Sequence, residues 1–503
     1  MTDRRQDRPG LVKATPRREF LSRLALGVVA VPLLDACNDE TASDLSDTSP
    51  GADVASGDAA DDTTPDTTGD VAAVGDEGPA EPPFVLETTT LDATAFPGPP
   101  ISGSATGTSA LFSGTTTLTS ATLLWWPDGG GASTLRSSPG TLAGAFLSAT
   151  AEDLEPGVVY HYAWVSGSVQ EPGVHGAIGR LKSPPAAGTS PIVRIGATAC
   201  TKMTFKPFDA LSVMAAQGEF DLFCHLGDMS YNDSATTLEE YREEWLETLT
   251  ESGYQALLPV ATTLITWDDH EVANGEWGDL PPAHREAGIQ AFFEALPVRR
   301  RENGALWNSY RWGDTVEVFV LDCRSERKPD TRLGPDAEFI SKAQLEWLEG
   351  ALEASPCRFK LVMTSLPIAH FPDIWPKTDV WMGYEAQRTR LLDHIVAKAP
   401  GTIFVSGDYH FGSVHKVDTA GAHAGLWEIL AGPGASSPNP LIGAVTLAPD
   451  LAETYVPKAQ FEYYSLDYCA TFLTFDPNAG TVEVEFIGAD DGKQRFKKTI
   501  ELG

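Results

Sequence analysis

From residue 190 onward, six apolar runs end in side chains that can hold a cation or move a proton. The first run, 191–199, is followed by Cys200. The second, 220–226, leads into Gly227 and Asp228, with Tyr231 three residues on. The third, 262–267, is followed by Asp268, Asp269, His270, Glu271 and Asn274. The fourth ends near Asp322, Arg324 and Arg327, the fifth leads towards His370, and the sixth precedes Asp408, His410 and His415. Any one of these groups fits a surface turn, because Asp after Gly is common there. For the whole set, the structural alternative is an ion-pair network. Ligands of open α/β sheets bind outside the carboxyl ends of the strands, so six polar run-ends on one rim point to a binding site.

The residue types point to metals. Carboxylates, amide oxygens and imidazoles suit hard or borderline cations. A thiol and a phenol add softer, redox-type ligands, for which iron is the natural partner. A free tyrosine titrates near pH 10, so a phenolate ligand at neutral pH needs a strongly acidic ion. That favours Fe3+ at the site touching Tyr231 and leaves Ca2+, Mn2+ or Mg2+ for the oxygen-rich remainder.

These residues need a frame. Strand-like runs alternate with amphipathic stretches, the pattern of an α/β fold with helices over the sheet faces. Ser341 and Gln344 form a capping box ahead of Leu345, Leu348 and Leu352, and 385–399 reads as a further helix. The tail alternates at period two about a hairpin turn at 477–480. Cys224 and Cys323 lie in apolar runs and read as core, and no disulfide framework is visible in the spacing of the six cysteines.

The amino-terminal part reads differently. Residues 1–37 carry Arg17-Arg18 ahead of an apolar stretch, 24–34, and then Cys37. About eleven helical residues rise roughly 16 Å, short of a hydrocarbon core of about 30 Å. The segment resembles a twin-arginine lipoprotein signal, with Cys37 as the lipidated residue and Asp35 where a small residue is usual. Cleavage and release is the alternative. The expected location is periplasmic or cell-surface, after export in the folded state. Residues 38–84, rich in Asp, Thr, Ala, Gly and Pro, read as a disordered acidic tether. Residues 85–187 show short alternating strands with Tyr160, Tyr162 and Trp164 on one face, a small β-sandwich read as a spacer or packing domain. The net charge of −34 argues against sequence-specific nucleic-acid binding, which needs a basic face. It leaves phosphate chemistry open, because bound cations supply positive charge.

Set in order, "GD…Y" at 227–231, "WDDHEVAN" at 267–274, "LD.R" at 321–324 and "SGD.H" at 406–410 resemble the alkaline phosphatase D (PhoD) family of the metallophosphoesterase superfamily. The resemblance runs from about residue 84 to near the carboxyl terminus. It implies a two-sheet αββα catalytic domain over 190–503, preceded by an immunoglobulin-like all-β domain over 85–187. It implies an Fe3+ and Ca2+ site hydrolysing phosphate monoesters or diesters, in a chain expected to act as a monomer. By motif, Cys200 and Tyr231 would bind iron, Asp228 would bridge the two ions, and Asn274, Asp408 and His410 would complete the cluster. Asp269 stands where the superfamily's "GNHE" has asparagine. Met229, Ser230 and Asn232 depart from the usual spacing residues around the "GD…Y" tyrosine. The implied mechanism is in-line attack on phosphorus by a metal-activated water or bridging hydroxide. Arg324 or Arg327 would add a donor fork to the phosphate, or form a strand-end salt bridge. His270 would act as general acid, or orient Asp228 or Asp408. His370 reads as a surface or cleft residue, and His415 as supporting or structural. Two other readings are a purple-acid-phosphatase-like monoesterase, which lacks its "GNHE" here, and a catalytically silent surface module.

Overall fold

Strand faces in the second half of the chain alternate with period two, and that alternation builds the layers. The computed structural model describes residues 81–86, 89–168 and 171–502. The expected signal segment, Cys37 and residues 38–80 of the expected tether lie outside them. Nine strands come first: β1 (Ile101–Gly103), β2 (Ala110–Thr115), β3 (Thr122–Pro127), β4 (Arg136–Pro139), β5 (Thr141–Ala143), β6 (Phe146–Ala151), β7 (Val159–Gly167), β8 (Pro172–His175) and β9 (Gly179–Lys182). The α/β part follows with β10 (Val193–Thr198), β11 (Leu222–Leu226), β12 (Thr262–Thr266), β13 (Asn308–Trp312), β14 (Val316–Val320), β15 (Phe359–Met363) and β16 (Thr402–Ser406). Then come β17 (Gly412–Lys416), β18 (Trp427–Leu430), β19 (Phe461–Ser465), β20 (Cys469–Asp476), β21 (Thr481–Gly488) and β22 (Gln494–Glu501).

The six strand-like runs fall three in each of two sheets. Strands β10, β11 and β12 run parallel in a ten-stranded sheet ordered β22-β21-β20-β10-β11-β12-β1-β2-β6-β5. Strands β14, β15 and β16 run parallel in a seven-stranded sheet ordered β13-β14-β15-β16-β18-β17-β19. In the seven-stranded sheet, Val316, Val318, Val320, Leu361, Met363, Ile403 and Val405 face the core shared with the first sheet. Their neighbours Phe319, Leu321, Val362 and Phe404 face a second core with Leu345, Leu348 and Leu352 of helix Lys342–Ala354 and Leu391, Leu392 and Ile395 of helix Glu385–Lys398. On the ten-stranded sheet, Trp245 of helix Leu238–Leu249 and Phe292 of helix Pro282–Ala295 join the shared core. The result is a sandwich of two sheets between helices. The Ser341 cap is present, its side chain accepting from the Gln344 N–H, and the 477–480 hairpin joins β20 to β21.

The amino-terminal strands do not stand apart. Strands β4, β3, β7 and β8 form a sheet of their own, with β9 also paired to β7. Tyr160, Tyr162 and Trp164 are buried against Phe112 and Leu147 of the facing strands. Those facing strands, β1, β2, β5 and β6, belong to the ten-stranded sheet, which β1 joins by pairing parallel to β12. In sequence this segment reads as a spacer or packing domain; the pairing makes part of it the continuation of the sheet that carries β10, β11 and β12. Beyond the ladder, the Ser104 hydroxyl donates to the Pro297 carbonyl at 3.0 Å and accepts from the Arg299 N–H at 2.9 Å and the Tyr310 hydroxyl at 3.0 Å.

A chain begun at residue 188 would leave the β12 edge without its neighbour, a template for aggregation. The expected outcome is insoluble protein, while a chain begun at residue 81 stays soluble and melts cooperatively. Soluble yield and circular-dichroism melting of the two chains check it.

Candidate metal centre

Residues that follow β10, β11, β12 and β16 converge on one rim in three overlapping groups, and Asp228 is common to all three. One ligand atom each from Cys200, Asp228 and His410 lies within 4.8 Å of the others. The same holds for Asp228, Asp268, Asp269 and Asp408, and for Asp228, Asp269 and His270. Cys200 follows β10, Asp228 follows β11, Asp268 to His270 follow β12, and Asp408 and His410 follow β16. Cys200, Asp228, Asp268, Asp269 and His270 are buried, and Asp408 and His410 are half-buried.

Local backbone aims these side chains inward. Among the described residues, seven other than glycine have positive φ, and four of them are Cys200 (57°), Asp228 (57°), Asp408 (66°) and His410 (53°). Each such residue costs on the order of 1–3 kcal/mol, so the strain is concentrated where the ligands are. The glycines ahead of the two aspartates explain the "GD" pairs. A Cβ on Gly227 (φ 101°) would lie 2.6 Å from the Asp268 Cβ, and one on Gly407 would lie 2.6 Å from the Ala199 Cβ. Only glycine lets the turns after β11 and β16 approach their neighbours so closely.

A buried carboxylate then ties two of these turns together. Glu271 accepts the N–H groups of Asp228 (3.1 Å), Met229 (2.6 Å) and Asp268 (2.8 Å). Burial pushes its pKa up to about 7, against those three donors. Asn232 adds a second tie. Its side-chain amide donates to the Glu271 carbonyl (3.0 Å), its oxygen accepts from the Ser230 hydroxyl (2.6 Å), and its own N–H donates to the His270 carbonyl (2.9 Å). Asn232, one of the departures from the usual residues around the tyrosine, therefore serves the loop: it is fully buried and fastens the β11 turn to the β12 turn.

The electrostatics favour a cation. Burial raises the pKa of Asp228 and of Asp408 well above the ordinary carboxylate value, and neighbouring aspartates add to it. Burial also raises the Cys200 thiol, with Asp228, Asp408 and Asp268 adding to the rise. Burial lowers His410 to about 4, which leaves a neutral imidazole able to ligate. Asp269 is the exception. Burial pushes it up, but Arg324, His270 and the Gly275 N–H outweigh burial and bring it to about 2. The Asp228 Oδ1 atom is buried with no hydrogen-bond partner. A buried carboxylate oxygen left so, beside three further carboxylates and a thiol, fits an acceptor set built for metal ions.

The other sequence-derived candidates fall as follows. The Tyr231 hydroxyl lies 3.3 Å from Asp228 Oδ2 and 3.3 Å from Ser436 Oγ, and its ring packs on His270 at 4.0 Å between centroids. His270 Nδ1 is 2.7 Å from Asp233. Asn274 is exposed, and its backbone N–H donates to Asp233 at 2.9 Å; Asp268, Asp269 and His270 are the residues of that turn inside the cluster. Arg324 forms the strand-end ion pair. Its Nε and Nη2 donate to Asp268 (2.6 and 2.8 Å), and its Nη1 donates to Asp379. Ser365 gives Asp268 a further hydrogen bond at 2.8 Å. His370 faces solvent, 3.7 Å from Glu385. His415 is fully buried, between Glu428 (3.1 Å) and Ser413 (2.9 Å). Sequence reasoning missed Asp233, Asp379 and Ser436. Ser436 Oγ is 3.3 Å from both the Tyr231 hydroxyl and His410 Nε2, in the turn after β18. The apolar run Trp427–Leu430, ended by "AGPG", was the available signal for it.

Comparisons with known proteins cover the part of the chain that carries these residues. The family model described as PhoD-like phosphatase matches residues 195–474, which contain every ligand candidate above. Alkaline phosphatase D of Bacillus subtilis (strain 168) is 27% identical over 311 residues, 52% of this chain and 52% of that protein. The match therefore spans about half the length of the curated relative. Among solved structures, that of PhoD superposes with a TM-score of 0.67 at 19% identity, covering 82% of this chain and 90% of that one. A purple acid phosphatase from yellow lupin seeds superposes at 0.60 and 15% identity, covering 81% and 75%. The two structural likenesses establish the metallophosphoesterase-type fold.

Replacing Glu271 tests the tie between the turns. In Glu271→Gln an amide N–H₂ must face backbone donors, at a cost of about 2–4 kcal/mol. The expected outcome is a lowered melting temperature and loss of bound metal after gel filtration, read by calorimetry and elemental analysis.

Proposed function

The chain belongs to the PhoD-like phosphatase family, and from that membership we propose that it is an exported, metal-dependent phosphatase hydrolysing phosphate mono- or diesters. The single observation that carries the proposal is the convergence of a thiol group and a carboxylate group on one shared residue, Asp228. Cys200, Asp228 and His410, with Tyr231 beside them, suit Fe3+. Asp228, Asp269 and Asp408 suit Ca2+; Asn274, expected from the motif as a further ligand, is exposed, with its N–H on Asp233. When bound, such ions acidify a water into a nucleophile and offset the charge on phosphorus oxygens. Export by the twin-arginine route, anchoring at Cys37 and a monomeric state belong to the same proposal on the strength of the sequence.

The chain's own residues divide the remaining work. Asp268, clamped by Arg324 and Ser365, holds the β12 turn rigid beneath Asp269. Asp233 accepts from His270 Nδ1, orients the ring, and offsets its charge when it carries two protons. His270 Nε2 is then the atom that hands a proton to the leaving oxygen. The Tyr231 ring, packed on the imidazole, keeps it at the cluster. The Lys202 ammonium, 5.3 Å from the centre of the Tyr231 ring, places positive charge on the same side.

Metal-loaded protein is expected to hydrolyse a chromogenic phosphate monoester or diester and to lose that activity to chelators; no turnover of either ester would overturn the reading. His270→Ala should cut kcat/KM about a hundredfold for an alkyl ester. The loss should be much smaller for a nitrophenyl ester, whose leaving group needs no proton. Iron-loaded protein should also show a visible charge-transfer band that Tyr231→Phe removes. A band that survives the substitution would take Tyr231 off the metal.

A further inference from the structure

The two arginines after β14 are each anchored on one side and turned to the same carboxylate on the other. Arg324 is fixed by Asp268, through Nε and Nη2, and its side chain is 1% exposed. Arg327 is fixed by the Cys323 carbonyl, which accepts from Nε (2.9 Å) and Nη2 (2.7 Å), and by the Phe339 ring, 4.6 Å below its guanidinium. Both extend Nη1 to Asp379. Arg324 Nη1 reaches its two oxygens at 2.8 and 2.7 Å, and Arg327 Nη1 donates to Oδ1. Glu276, 3.4 Å from Arg327 Nη1, and Asp269, 3.7 Å from Arg324 Nη2, are further acids on this pair.

The anchors and the occupant differ in kind. Asp268 and Cys323 lie at the ends of β12 and β14, while Asp379 lies between β15 and β16 on a stretch, 372–380, without helix or strand. Asp379 is half-buried, its side chain 18% exposed, where the arginines are 1% exposed. One guanidinium, that of Arg324, bonds both Asp379 and the cluster's Asp268, so the carboxylate stands beside the metal cluster. A planar carboxylate bridging two guanidinium groups has the charge and the acceptor spacing of a phosphoryl group.

We propose that Asp379 is a specificity-determining placeholder: it occupies a two-arginine phosphate fork at the edge of the cluster, and a phosphoryl group of the substrate exchanges with it. This rests on the phosphatase reading of the cluster and extends it. Exchange needs no change in the anchors. Asp268, Cys323 and Phe339 keep both guanidinium planes in place while the 372–380 stretch withdraws. A dianionic phosphate gains two charge-assisted contacts that a neutral or singly charged ester gains less well, so the fork favours monoesters and inorganic phosphate over diesters.

The test uses the metal-loaded full chain, with inorganic phosphate as inhibitor against a chromogenic monoester. In Asp379→Asn the competing charge is gone and the shape is kept. The expected result is an inhibition constant for phosphate lowered about tenfold, with KM for the monoester lowered in parallel and KM for a diester changed less. Adding Arg327→Gln to that variant should cancel the gain. Active Asp379→Asn protein with an unchanged or raised inhibition constant overturns the placeholder while leaving the phosphatase reading intact. Wild-type protein with no esterase activity fails the phosphatase reading itself. In that case phosphate binding to wild type and Asp379→Asn, measured by calorimetry, still decides the fork. Asp379→Ser is the second variant; if both variants fail to fold, Asp379 is a structural tie and the proposal falls.

Discussion

Everything at the carboxyl rim answers to one repulsion. Asp228, Asp268, Asp269 and Asp408 bring carboxylate oxygens within 4.8 Å of one another, with the Cys200 thiol against Asp228. In a low-dielectric site such a group either takes up protons or recruits positive charge. The protein supplies part of that charge itself, through Arg324 on Asp268 and His270 beside Asp228 and Asp269. The remainder is what metal ions supply. The strained turns and the Glu271 bridge are consistent with this reading, because ligands that repel one another must be held by the backbone and not by their own contacts. Folding energy from the two large apolar cores offsets the cost of holding them.

The strand ends were legible because buried parallel strands are short apolar runs, and a polar residue just past such a run lies at the rim. Cys200, Asp228, Asp408 and His410 were found in this way, and the structure brings them together. The division of the six strands between two sheets was not legible from periodicity, because a run buried on both faces carries no mark of which sheet it joins. The family resemblance supplied it. Within the β12 turn, spacing alone did not separate Asn274 from Asp269. The Gly275 N–H donates to Asp269 and the Asn274 N–H donates to Asp233, which leaves the Asn274 side chain exposed. Asp233, Ser436 and Asp379 come from loops, where no periodicity announces a side chain's direction. Arg324 was visible as a cation at a strand end, but its partner across 55 residues was not.

The amino-terminal strands show the same limit from another side. Their alternation marked them as strands, and Tyr160, Tyr162 and Trp164, read as one face, are buried together. It could not say that β1 would pair with β12, since a pairing between residues 102 and 262 leaves no local trace. The consequence is mechanical. The turn that carries Asp268 to Asn274 hangs from a strand whose outer neighbour belongs to the β-rich segment, so that segment braces the metal centre from the far side of β12.

The other flank of those strands is closed by β20, residues 469–476, paired antiparallel to β10. The strand bearing Cys200 at its end is thus completed by residues 471–475, far from it in sequence. Pairings of such long range close a large loop and form slowly, so the Cys200 turn has a neighbour on both sides only once that closure is made.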